Sequence, residues 1–115
     1  MKVVYIIGRY RGKNACEVQD HIEIARHMAI WVWEAGAAAL CPHLNTAHFD
    51  GLCNDEAFLQ GTMELMRRCD AAITCHNWEE SQGSRAEIAE CMKLGIPVFY
   101  KISELEQWLA TKELD

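Results

Sequence analysis

The chain has no long uninterrupted apolar run, no block of consecutive basic residues and no close Cys-x-x-Cys pair. Each absence closes off a class of function. Without an apolar stretch of about 20 residues, no membrane-spanning helix is expected. Without clustered Lys and Arg, and with a formal net charge of −6, a nucleic-acid polymer is excluded as partner, because its phosphate backbone is held by dense positive charge. Small anions remain open. The cluster Cys41, His43, His48 and Cys53 falls short of a zinc knuckle for want of a close cysteine pair, and the sequence calls for neither metal nor cofactor. The opening Met-Lys-Val-Val-Tyr-Ile-Ile-Gly runs straight into strand-like sequence without a cleavage signature. The cysteines at 16, 41, 53, 69, 75 and 91 therefore read as reduced thiols of a cytoplasmic protein, most of them small core residues.

What is present is a globular composition, 50% hydrophobic over 115 residues, enough for one core and one domain, residues 1–115. Apolar runs alternate with helical patterns. Val3 to Ile7 is a β-rich run ended by Gly8. From about Val18 to Ala35 the residues Ile22, Ala25, Ala29 and Val32 recur at helical spacing, with Gly36 as the stop. Ala38 to Cys41 is a short strand, and a polar loop, Pro42 to Asn54, leads to a helix over about Asp55 to Arg68. Ala71 to Cys75 is the third strand, and Ser84 to Leu94 a third helix closed by Gly95. Val98 to Tyr100 is the fourth strand, followed by a helix over Ser103 to Thr111. Such alternation predicts a small doubly wound α/β domain of the flavodoxin or Rossmann type. Its parallel sheet would have four to five strands, with helices on both faces.

In that architecture ligands bind beyond the carboxyl ends of the strands, so the loops after strands one, two and three should converge. They carry Gly8, Tyr10, Arg11 and Gly12, then His43, Asn45 and His48, then Trp78, Ser81, Gly83 and Ser84. The turn before the third helix offers unpaired backbone N–H groups to an anion, with Ser81 and Arg11 adding polar contacts. Tyr10 or Trp78 offers a stacking face, and Asn45, His43 and His48 are candidates for sugar or base contacts. Glu87, in the first turn of that helix, admits two readings. It is a carboxylate facing the anion site, or it completes a capping box with Ser84. Gly8 and Gly12 shape a turn or cradle a phosphate, without the Gly-Lys-Ser/Thr ending of a P-loop.

Three segments carry a resemblance. They are Tyr-Ile-Ile-Gly-Arg-Tyr-Arg-Gly (5–12), Cys-Asp-Ala-Ala-Ile-Thr (69–74), and a Ser-x-Gly-Ser-x-x-Glu run (81–87) followed by Gly95-x-Pro97-Val98. Together they resemble the nucleoside 2-deoxyribosyltransferase superfamily, closest to a phage and bacterial branch filed as a domain of unknown function. The resemblance implies a nucleoside or nucleotide ligand, attack on the anomeric carbon by the glutamate matching Glu87, and a contact from Ser81 to a 5′-phosphate. A carboxylate that displaces a nucleobase leaves a glycosyl ester for water or another base to resolve.

Two positions depart from the pattern. Active relatives carry an aspartate eight residues before the one that starts strand three, and counting back from Asp70 reaches Thr62. A threonine does not readily protonate a leaving base; Asp50, Asp55, Glu56 or a histidine would have to substitute. Arg9 stands where many relatives have proline. The missing acid supports an alternative, a non-catalytic nucleotide-binding protein that acts as sensor or sink. Finally, Ile24, Met28, Trp31 and Ala35 form a second apolar stripe on helix one. It predicts a homo-oligomer, a dimer first and a tetramer next.

Overall fold

A computed structural model describes residues 1–114. The strands β1 (Val3–Ile7), β2 (Ala38–Leu40), β3 (Ala71–Thr74) and β4 (Val98–Phe99) form one sheet in the order β2-β1-β3-β4. Every neighbouring pair is parallel, with Tyr5 opposite Leu40 on one side and Ala72 on the other. The helices are α1 (Ala15–Glu34), α2 (Pro42–Asn45), α3 (Asp55–Arg67), α4 (Gln82–Leu94) and α5 (Ile102–Leu114). A 3-10 turn spans Trp78–Glu80.

Alternation along β1 divides the core. Val4 and Ile6 pack with Ala25, Ala29 and Val32 of α1 and with Leu105 and Leu109 of α5. Tyr5 and Ile7 face the other way, onto Met66 of α3 and Ile88 and Cys91 of α4. Helices thus cover both faces, as a parallel sheet requires, and the α/β expectation holds with four strands. The strand order reverses between β1 and β3, so in this architecture a ligand is expected among the loops that follow these two strands.

Helix α3 starts at Asp55 as expected, whereas α1 and α4 start earlier, because capping side chains rather than apolar periodicity set their starts. Asn14 accepts the Glu17 N–H at 2.9 Å and starts α1 at Ala15. Ser81 accepts the Ser84 N–H at 3.0 Å and starts α4 at Gln82. Gly95 ends α4 in the left-handed conformation, φ 75°. The loop expected over Pro42 to Asn54 opens with the single helical turn α2.

Four cysteines, Cys41, Cys69, Cys75 and Cys91, are buried, and all six are free thiols. Burial pushes the Cys75 thiol up to about 12, so it stays protonated. The second stripe of α1 is mostly absorbed by the fold. Ile24, Met28 and Ala35 pack against the core, leaving Trp31 half exposed. Trp33 is also exposed and belongs to no core. Among the described residues no helix is long and apolar enough to cross a membrane.

Candidate functional site

Strand β1 is aliphatic except for Tyr5, whose ring is fully buried beneath α3 and α4. A buried phenol needs a partner for its hydroxyl, and this one donates to Glu87 Oε2. The register of α4 makes the pairing possible. With Ser81 as N-cap, Glu87 lies in the second turn and not the first, too far along the helix to reach back to a capping amide. The capping-box reading of Ser84 and Glu87 is therefore corrected: Ser81 does the capping, and the Glu87 carboxylate turns toward the sheet. One edge of Glu87 stays accessible, while removal of its carboxyl from water raises the pKa to about 7 despite the Tyr5 hydrogen bond, which lowers it. Burial, and then the charge of Glu87, push Tyr5 far above the ordinary phenol value, so the phenol is the permanent donor. Thr62 acts weakly in the opposite sense on the Tyr5 phenol, while its own hydroxyl donates to the carbonyls of Phe58 at 2.9 Å and Leu59 at 3.2 Å.

The start of α4 forms the neighbouring wall. Its first N–H groups have no intrahelical partners, and Ser81 Oγ satisfies that of Ser84. Gln82 and Gly83 are exposed, and a Cβ on Gly83 would meet nothing closer than Ser81 Oγ at 3.9 Å. An anion can approach there. Ser84 itself is buried, its hydroxyl without a hydrogen-bond partner, which places it behind the wall and not on its surface.

The loop after β1 forms the facing wall. A Cβ on Gly8 would stand 2.9 Å from Cys75 Sγ and 3.1 Å from Cys75 Cβ, so glycine lets the ends of β1 and β3 close together. On Gly12 a Cβ would lie 2.6 Å from Glu17 Cβ in the first turn of α1. The Arg9 N–H donates to Asn77 Oδ1 at 3.2 Å, and the Arg9 guanidinium pairs with Glu80 at 3.0 Å beside the α4 N-terminus. Arg11, expected to assist there, instead makes an exposed pair with Asp55 at 3.0 Å. Arg9 is the cation the sequence reading passed over.

The remaining candidates disperse. Tyr10 donates to Asp50 Oδ1 at 2.8 Å, and the Trp78 ring packs on Tyr100, centroids 5.5 Å apart. Asn45 and His48 are exposed, the latter with φ 63°. His43 is buried beneath the β1 loop. The proposed substitutes for the missing acid are engaged elsewhere: Asp50 by Tyr10, Asp55 by Arg11, Glu56 by Gln60. Among the described residues no three His, Cys, Asp or Glu side chains are grouped to hold a metal ion. Tyr5 and Asn77 were missed. A lone tyrosine in an aliphatic buried strand was the available signal for the first; Asn77 had none beyond its place in a loop.

The model of the family described as "Domain of unknown function (DUF7768)" matches residues 2–101. Among solved structures the chain is similar to a 2-deoxyribosyltransferase from Bacillus psychrosaccharolyticus, with TM-score 0.60 and 17% identity over 84% of this chain and 69% of that one. It is likewise similar to 2-desoxiribosyltransferase from Leishmania mexicana, with TM-score 0.60 and 16% identity over 85% of this chain and 62% of that one. At such identities the likeness is one of fold. No curated protein matches the chain.

Proposed function

The chain belongs to the DUF7768 family, and from that premise we propose that it cleaves or transfers the N-glycosidic bond of a nucleoside or nucleotide, with Glu87 as nucleophile. One observation carries the reading: a carboxylate on the second turn of α4, bonded to the phenol of Tyr5, just inside an exposed helix N-terminus of the kind that suits an anion. The fold shared with two deoxyribosyltransferases supports it.

The chemistry follows from the placement. Tyr5 donates to Oε2 and leaves Oε1 to attack the anomeric carbon. As the C–O bond forms, the C–N bond breaks and its electron pair leaves with the base, which takes a proton from solvent. Water then attacks the glycosyl ester, or a second base does, restoring the carboxylate. A 5′-phosphate would lie on the Gln82 and Gly83 N–H groups with the Ser81 hydroxyl, displacing Glu80 from Arg9. Attack requires ionised Glu87, so turnover should rise with pH up to about 7 and level off above.

The test is base release, followed by chromatography, from ribo- and deoxynucleosides and their 5′-monophosphates, with wild type and Glu87→Gln side by side. Release by wild type, lost by on the order of 1,000-fold or more in Glu87→Gln with ligand affinity retained, supports the reading. Release undiminished in Glu87→Gln defeats it.

A second reading is favoured by Thr62. Its hydroxyl is committed to main-chain carbonyls, so no acid assists a leaving base from that position. The same site would then hold a nucleotide without turnover, and calorimetry would show binding where chromatography shows no base.

The chain is also proposed to self-associate, as a dimer first and a tetramer next, through the face of α1 that leaves Ile30, Trp31 and Trp33 exposed. A monomer by light scattering at micromolar concentration would defeat this.

A further inference from the structure

His43 was expected to touch a ligand, yet it is 5% exposed and its contacts run to the backbone of the loop above it. One ring nitrogen, Nε2, lies 3.1 Å from the Gly8 carbonyl oxygen and 3.0 Å from that of Arg9. Both partners can only accept, so Nε2 carries the proton and shares it between them. Nδ1 is buried without a partner, which makes the ring a neutral donor of fixed tautomer. The Tyr10 ring lies against it, centroids 5.8 Å apart. Three consecutive residues of the β1 loop thus rest on one side chain, supplied by α2 from 35 and 34 positions further along the chain.

We infer that His43 is a positioning residue. Through a single shared Nε2–H it holds the backbone of Gly8 and Arg9 in the shape that lets the Arg9 N–H meet Asn77 and its guanidinium reach the start of α4. The inference rests on the proposed function only in taking this loop as a wall of the ligand site. It explains why α2, one turn long, follows β2 directly: Pro42 opens the turn and His43 comes next, beneath β1. Burial lowers the His43 pKa, with the two carbonyl contacts acting in the opposite sense. A charged ring would add a second donor at Nδ1 with nothing to receive it.

Glutamine and asparagine separate this role from mere bulk. The side-chain amide of glutamine reaches the Nε2 position and can donate to both carbonyls, whereas that of asparagine ends near Nδ1. The reporter is hydrogen exchange of the Arg9 amide in the full chain, read for wild type, His43→Gln and His43→Asn. Exchange about tenfold faster in His43→Asn, as for the loss of one such bond, and restored to within about threefold in His43→Gln is the expected result. Equal exchange in the two variants, whether fast or slow, overturns the inference. So does imidazole nitrogen spectroscopy of the wild type that finds the proton on Nδ1.

Titration with a panel of deoxynucleoside 5′-monophosphates completes the test. Affinity should fall with His43→Asn and return with His43→Gln. If wild type binds no member of the panel, the nucleotide reading fails, while the exchange and tautomer measurements still decide the role of His43.

Discussion

The two walls of the candidate site are built by opposite means. The start of α4 is local: Ser81 Oγ takes the Ser84 N–H and the Ser81 carbonyl takes the Arg85 N–H, all within one turn. The loop after β1 is held from afar, by Asn77, Glu80, Asp50, Asp55 and His43. Glycine marks both, for different reasons. Gly8 is needed because β3 presses against it, whereas Gly83 stands open. A wall made of local bonds keeps its shape alone and leaves its surface free for a ligand; one made of distant bonds exists only once the domain has folded.

Glu87 ties α4 to strand β1 through Tyr5, and its substitution should have the largest effect on stability. The carboxyl titrates near 7 in the fold against an ordinary 4.5. Between these values the folded protein holds a proton that the unfolded chain releases, so stability falls as pH rises through the window and levels above it. Allowing for the accessible edge of the side chain, the loss is on the order of 2 kcal/mol. Glu87→Gln should abolish this component and melt higher than wild type at pH 8, while matching it near pH 4. Parallel melts across pH, with the wild-type-minus-variant difference flat, would show that the carboxyl is not desolvated.

Gly8→Ala comes next and strikes the distant-bond wall. The new methyl would stand 2.9 Å from the Sγ of the buried Cys75, so one of the two must shift, at a cost of about 1–3 kcal/mol in denaturant unfolding. Gly83→Ala, on the local wall, should do the reverse. A Cβ fits there, and removing a glycine from a helix raises stability by roughly 0.5–1 kcal/mol, while the methyl stands where a phosphate would approach. Unfolding and nucleotide titration of this one variant should therefore move in opposite directions. Asn45→Ala should show the smallest effect, within about 0.5 kcal/mol in stability and without loss of affinity, since Asn45 is exposed at the end of α2.

Much of this was legible in the chain order of apolar runs. Strands and helices alternate, and glycines such as Gly36 and Gly95 close helices where backbone sterics permit little else. The cap of α4 was misplaced by three residues, since Ser81 and Ser84 are equally good caps in isolation. That short slip moved Glu87 from the first turn to the second and reversed its role. Arg9 and Arg11 were indistinguishable as letters, and packing alone brought Arg9 to Glu80 and left Arg11 to solvent.

By itself the sequence determined the α/β class, the parallel order of elements and the three loops in which chemistry could reside, because periodicity and turn chemistry act over a few residues. Only the tertiary structure decided that Tyr5 meets Glu87, that His43 lies under the loop and not in the candidate site, and that Gly8 touches Cys75. Those contacts join residues 82, 35 and 67 positions apart. Which distant groups meet depends on how strands pair and helices pack, which short-range patterns do not encode.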